Sequence, residues 1–197
     1  MTTSPDDLSR PALETVFTPA ELITVPERQL ADVADPDARE VLRTLGLPTG
    51  ATPWFSFYTK IGERFERVGE DFDWELADTY DEVPPGADRW IPLAEIPYDS
   101  IVLDPETGKV HCLPQDGEIY LFNSTLRQFV HFLYILQVER PAYDMEWEGD
   151  DDLFDSEGAR SRVEAAMRSI DPAALEIPES RWHDVLAGIE DPEYDHY

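Results

Sequence analysis

IYLFNSTLRQFVHFL, residues 119–133, joins an apolar run to an amphipathic one across Asn123-Ser124-Thr125. Three readings compete for that polar triplet: a reactive turn with a nucleophilic serine, a glycosylation sequon, or the start of a helix. Asn, Ser and Thr side chains accept the orphan amides of a helix's first turn. Thr125 followed by Gln128 has the spacing of a capping box, with Asn123 as the alternative cap. Leu126, Phe129, Val130, Leu133 and Leu136 then recur at helical spacing, which predicts a helix over about 124–137. Ser124 finds no base nearby, because His131 lies about two turns along that same helix. No Gly-x-Ser-x-Gly elbow is present. The sequon matters only in a secretory context. The opening MTTSPDDLSRP has no basic region followed by an apolar stretch, and the single cysteine, Cys112, suits a reducing cytosol. The triplet is therefore read as a strand-to-helix corner in a cytoplasmic protein.

Upstream of that corner, SIVLDPETGKVHCL is the clearest hairpin signal. Ile101, Val102 and Leu103 lead into a turn with Pro105 and Gly108, and Val110 to Leu113 lead out. EIYLFN supplies the next strand. RWIPLAEIPYD is extended, because Pro92 and Pro97 disfavour helix. PWFSFYTKI reads as a buried strand and RFERVGED as a further one, while DFDWELADTYDEVPPGAD reads as an acidic loop. Asp35 and Pro36 open a helix that Gly46 and Pro48 close, with PERQLADVA as a shorter helix before it. Two helices end the chain, one carrying Val163, Met167 and Ile170, the other Trp182 and Leu186. Hairpin-linked strands with helices gathered around them predict an α+β fold with a small, mainly antiparallel sheet. Residues 1–15 are expected to be flexible, 16–190 to form one domain, and 191–197 to be a frayed acidic tail.

The chain has 197 residues, 42% of them hydrophobic, enough for a sizeable core. No run approaches the roughly 18–20 apolar residues of a membrane span. Charge is the unusual property: 15 basic residues face 43 acidic ones, a formal net charge of -28. Such a field repels nucleic acid and anionic lipid and attracts cationic partners, although acidity also serves solubility alone.

No motif for catalysis or cofactor binding stands out. His111, His131, His183 and His196 have no helical partner that makes a metal face, and no Cys-x-x-Cys exists. His111 and Cys112 are neighbours on a strand and point to opposite faces, so they cannot pair as base and nucleophile. Gly-rich phosphate loops are absent, and the only lysines are Lys60 and Lys109. No catalytic, cofactor-binding or metal-ligating residue is assigned. DGEIYLFN and EGDDDLFDSE lack calcium-loop spacing, which leaves only weak, nonspecific calcium binding by Asp150, Asp151 and Asp152.

Leu45-Gly46-Leu47-Pro48, Asp104, Gly108-Lys109-Val110, Asn123-Ser124, Leu126, Phe129 and Trp182 carry a resemblance in their order and spacing. The region from about residue 35 to 187 resembles the SUKH superfamily, most closely its fourth group of bacterial immunity proteins. The resemblance implies an α+β fold, no catalysis, and binding to a cognate toxin, often a nuclease or nucleic-acid deaminase. The matching positions are scaffold and carry no binding site across. Two acidic inserts, 70–88 and 144–157, depart from the pattern, either as sites of partner specificity or as solvated loops. Eight acids fall within residues 144–157. The candidate partner-binding residues are Asp144, Glu146, Trp147, Glu148, Asp150, Asp151, Asp152, Phe154 and Asp155, and Tyr143 and Met145 are further apolar residues interleaved with the acids. A basic toxin would be steered by that charge and anchored by those aromatics, unless Trp147 and Phe154 fold back onto the core. The competing readings are an acidic interaction or regulatory module without a toxin, and an enzyme with an unrecognised carboxylate site.

Overall fold

The computed structural model describes residues 8–50, 52–147 and 154–191. The elements run α1 (Arg10–Leu13), β1 (Leu22–Ile23), α2 (Glu27–Leu30), α3 (Pro36–Glu40), β2 (Leu47–Pro48), β3 (Ser56–Phe57), α4 (Val68–Asp71) and α5 (Leu76–Thr79). After these come β4 (Ile91–Ile96), β5 (Asp99–Leu103), β6 (Val110–Leu113) and β7 (Tyr120–Asn123). Three longer helices complete the fold: α6 (Leu126–Glu139), α7 (Ser156–Ile170) and α8 (Trp182–Glu190). Strands β3 to β7 form one antiparallel sheet in sequence order, and β1 pairs with β2 separately. The fold is α+β.

The β5–β6 hairpin sets the architecture. Asp104 closes its turn, its carboxylate accepting the Glu106 amide at 2.9 Å and the Thr107 hydroxyl at 2.6 Å. Gly108 has a φ of 72°, and a Cβ there would stand 2.5 Å from Asp35 Oδ1. That close approach lets the turn satisfy two helix starts. The Pro105 carbonyl accepts the Ala34 and Asp35 amides, and the Gly108 carbonyl accepts the Leu126 amide at 2.8 Å. Asp35 in turn caps α3 through the Ala38 amide at 2.7 Å.

Side chains alternate along the hairpin, so each face of the sheet has its own core. Ile101, Leu103, Val110 and Cys112 join the main core with Phe122, Phe129, Phe132 and Trp182. Val102 and Leu113 face the other way, against Val68, Leu76, Tyr80 and Trp90. His111 stacks on Trp90 with ring centroids 4.4 Å apart, opposite in face to Cys112. All five predicted stripe residues of α6, Leu126, Phe129, Val130, Leu133 and Leu136, are buried.

Several local expectations fail for identifiable reasons. Residues 64–71 do not form a strand. The Asp71 carboxylate accepts the Arg67 amide at 2.7 Å and the Arg64 guanidinium at 2.6 Å, which closes the helical turn α4. The strand expected around Trp54 shortens to β3, because the Thr52 hydroxyl takes the Phe55 amide at 2.7 Å and a 3-10 turn, Thr59–Gly62, follows. The insert at 70–88 is not simply a solvated loop, since Leu76 and Tyr80 roof the second face of the sheet and the Tyr80 hydroxyl donates to the Pro114 carbonyl at 2.7 Å. The stretch 8–15, expected to be loose, contributes Leu8 and Leu13 to the main core, and Arg10 donates to the Leu45 carbonyl at 2.9 Å. Of the tail 191–197, all but Asp191 lies outside the described residues.

Candidate functional site

The corner at Asn123-Ser124-Thr125 is a structural lock. Thr125 caps α6, its hydroxyl accepting the Gln128 amide at 3.2 Å and donating to Gln128 Oε1 at 3.0 Å, while Gln128 Nε2 reaches the Ile170 carbonyl at 2.9 Å. Asn123 is not the cap. Its side chain donates to Asp171 at 3.1 Å and accepts from Trp182 Nε1 at 3.3 Å. Ser124 donates to the Asp171 carboxylate through its amide at 2.8 Å and its hydroxyl at 2.7 Å. Asp171 is 1% exposed and Asn123 0%. These bonds tie β7, α6, α7 and α8 into one unit, and they commit the serine hydroxyl to a carboxylate that has no access to substrate.

The other reactive side chains are also committed to structure. Cys112 is fully buried, and burial pushes its thiol up to about 12, so it stays protonated at neutral pH. His131 is buried with no hydrogen-bond partner for Nδ1, and burial pushes it down to about 4. Burial likewise lowers His111 to about 4 beneath its Trp90 stack. Among the described residues no group of three or more His, Cys, Asp or Glu side chains is placed to hold a metal.

The acidic segment after α6 divides into anchors and exposed groups. Asp144 is an anchor: its carboxylate takes Arg140 Nε at 2.6 Å and the Glu146 amide at 2.9 Å. Tyr143 is buried, its hydroxyl donating to the Leu136 carbonyl at 2.9 Å. Asp155 caps α7 through the Gly158 amide at 3.1 Å and pairs with Arg162 at 3.0 Å, and that guanidinium holds its carboxyl below the usual range. The Asp155 amide donates to the Ala142 carbonyl at 2.9 Å. The Arg140 guanidinium lies 5.4 Å from the Trp147 ring centre. Both ends of the segment therefore stand on one 3-10 turn, Arg140–Ala142.

Around that footing sit the exposed groups. Trp147 is 43% exposed and Phe154 46%, so neither folds fully back onto the core. Met145, Val138 and Glu146 are exposed as well. Val138 was not legible as a surface residue, because a lone valine off the main stripe of a helix carries no signal. Glu148, Asp150, Asp151 and Asp152 lie outside the described residues. What is described is an apolar rim on an arginine-braced base, bordering the most acidic stretch of the chain. The described residues from Tyr143 to Asp155 include no serine, cysteine or histidine.

No described helix is long and apolar enough to cross a membrane. A family model described as SUKH-4 immunity protein matches residues 8–188. That span begins at the first described residue and ends within α8. No significant match was found among curated proteins or solved structures.

Proposed function

The chain belongs to the SUKH-4 immunity protein family, and on that premise we propose that it is a non-enzymatic, cytoplasmic protein that binds and neutralises one cognate toxin. The toxin is a basic nuclease or nucleic-acid deaminase. Enzymes that hold phosphate carry basic clefts, and a partner with a formal net charge of -28 complements such a cleft. The observation that carries the reading is the acidic segment footed on Arg140–Ala142, with half-exposed Trp147 and Phe154 at its two ends. Aromatic side chains that are half out of water in the free protein are the residue type that supplies most binding energy once covered. Asp144 and Asp155 anchor the two described ends of the segment, while the carboxylates of Glu146, Glu148, Asp150, Asp151 and Asp152 supply the charge.

Association kinetics with the cognate toxin, sought first among the products of neighbouring genes, test the division of labour. Neutralising Asp150, Asp151 and Asp152 together to Asn should slow association and leave dissociation nearly unchanged. The difference from wild type should shrink between about 0.1 M and 1 M salt, where the Debye length falls from about 10 Å to about 3 Å. Trp147→Ala should do the reverse and speed dissociation about fivefold or more. Unchanged rates in both variants would place the interface elsewhere.

A further inference from the structure

The cover over the second face of the sheet is built as a loop on a narrow neck. Residues 67–69 are held to residues 88–90. The Arg67 guanidinium donates to the Arg89 carbonyl at 2.8 Å, and the Val68 amide donates to the Trp90 carbonyl at 3.1 Å. Gly69 lies so close to that turn that a Cβ would stand 2.9 Å from the Asp88 Cβ. From this fixed neck the chain leaves at Phe72 and returns at Gly86, whose φ of 81° is left-handed. Inside the loop the aromatic rings pack on one another, Phe72 on Trp74 at 5.3 Å and Trp74 on Tyr80 at 6.1 Å between centroids. Joined ends and internal packing are the marks of an Ω-loop.

Its attachment to the body is thin. Beyond the turn at 84–89, one hydrogen bond among the described residues joins residues 72–86 to the rest of the chain, from the Tyr80 hydroxyl to the Pro114 carbonyl at 2.7 Å. The remaining hold is apolar: Leu76 and Tyr80 are buried in one cluster with Trp90, Val102 and Leu113. Charge works against that hold. The nearby ion pairs, Arg64–Asp71, Arg67–Asp32 and Arg89–Glu106, stop at the neck. Asp73, Glu75, Asp78, Asp81 and Glu82 join none of the ion pairs among the described residues, and no lysine or arginine falls between Arg67 and Arg89. These carboxylates belong to a chain whose formal net charge is -28, so closing the loop builds up repulsion that opening relieves.

We propose that residues 72–86 are a lid that opens as a unit, without unfolding the main core, and uncovers the apolar face made by Trp90, Val102 and Leu113. Tyr80 is the latch, since it is 5% exposed and its hydroxyl makes the polar bond to the body. Phe72 and Gly86 are the hinge ends. A segment held by few buried contacts opens at a lower free energy than the whole fold. Repulsion between the lid's carboxylates and the rest of the chain sets how often it opens, so salt favours the closed state. The other side of the sheet stays shut, because Ile101, Leu103 and Cys112 pack in the main core with Phe122, Phe129 and Trp182. The lid is a property of the chain alone and holds whether or not a toxin is its partner.

Two thiols in one molecule test the lid. Val102 and Cys112 are both 0% exposed and lie on opposite faces of the sheet. In a full-length Val102→Cys chain that keeps Cys112, labelling by N-ethylmaleimide in native buffer is followed by mass spectrometry, with trypsin separating the two sites at Lys109. The thiol at position 102 should react about tenfold or more faster than Cys112 and depend far less steeply on urea, since only the lid has to open. Adding Tyr80→Phe, which keeps the ring and removes the latch, should speed labelling at position 102 about threefold or more. Raising salt from about 0.05 M to 0.5 M should slow that labelling. Glu75→Gln with Asp78→Asn and Glu82→Gln should slow it at low salt and flatten the salt response. Equal rates and equal urea dependence at the two thiols would mean that only global unfolding uncovers the face, and would overturn the lid. Labelling at position 102 that ignores Tyr80→Phe, or ignores salt, would overturn it too. Leu113→Cys reads the same face from the neighbouring strand and decides the matter if Val102→Cys fails to fold.

Discussion

Replacing Asp171 with alanine should destabilise the protein more than its position outside the helices suggests. The carboxylate is 1% exposed and accepts three bonds, from Asn123 Nδ2 at 3.1 Å, the Ser124 amide at 2.8 Å and the Ser124 hydroxyl at 2.7 Å. Asp171→Ala leaves the first two donors without a partner, while the hydroxyl can rotate. At about 1–3 kcal/mol for each unsatisfied buried group, the loss is about 2–6 kcal/mol. For a chain of this length about 1 kcal/mol shifts Tm by about 2–4 °C, so a mid-range loss lowers Tm by about 8–16 °C. Asp171→Asn keeps one acceptor oxygen and should lose half of that or less. Thermal and urea unfolding read the effect, and toxin affinity at 15 °C (about ten degrees or more below any melting onset, set by the experimenter) should hardly move. An Asp171→Ala protein melting within about 2 °C of wild type would refute the lock.

Three further outcomes follow from the same geometry. Gly108→Ala forces a Cβ to within 2.5 Å of Asp35 Oδ1 at a φ of 72° and so disturbs the α3 cap as well as the turn; a loss of about 2 kcal/mol or more is expected in denaturant unfolding. Thr125→Ala removes the acceptor for the Gln128 amide and should cost about 0.5–2 kcal/mol, with partner affinity unchanged. Burial pushes His131 and His111 down to about 4, so their contribution to stability is complete above pH 6.5 and is lost as pH falls toward 4. Below pH 6.5 the unfolded chain takes up protons that the native state refuses, at about 1.4 kcal/mol per pH unit for each fully titrating group. His131→Phe should flatten the slope measured between pH 6.5 and 5.5, and an unchanged slope would contradict it.

The parts of this fold that showed in the sequence are those with a strong local signal. Period-two alternation through Ile101 to Leu113, a Pro-to-Gly turn between them, and helical spacing from Leu126 to Leu136 each name one structure. Residues 64–88 hid theirs. Acidic side chains dominate there, and the apolar residues Phe72, Trp74, Leu76 and Tyr80 match no period because they meet the sheet from several short turns. The role of Asn123 was half visible: a polar residue at a corner announces a hydrogen bond, but its partners, Asp171 and Trp182, lie 48 and 59 residues away. At the candidate site, charge and aromatic content pointed to 143–155. The sequence could not separate Asp144 and Asp155, bound to Arg140 and Arg162, from acids that face solvent. Tyr98 gave no signal at all, since its 78% exposure and its positive φ are properties of the folded turn.

The central claim is that this chain neutralises a toxin by occupying it and does no chemistry on it. The most direct measurement titrates the full chain into a fixed concentration of the proposed cognate toxin, well above their dissociation constant, and follows the toxin's own activity. The account predicts a linear fall that reaches its floor at one equivalent, with activity recovered when the complex is dissociated. Loss of toxin activity at a small fraction of an equivalent, increasing with time, would show turnover and contradict it, as would full toxin activity in the presence of excess chain.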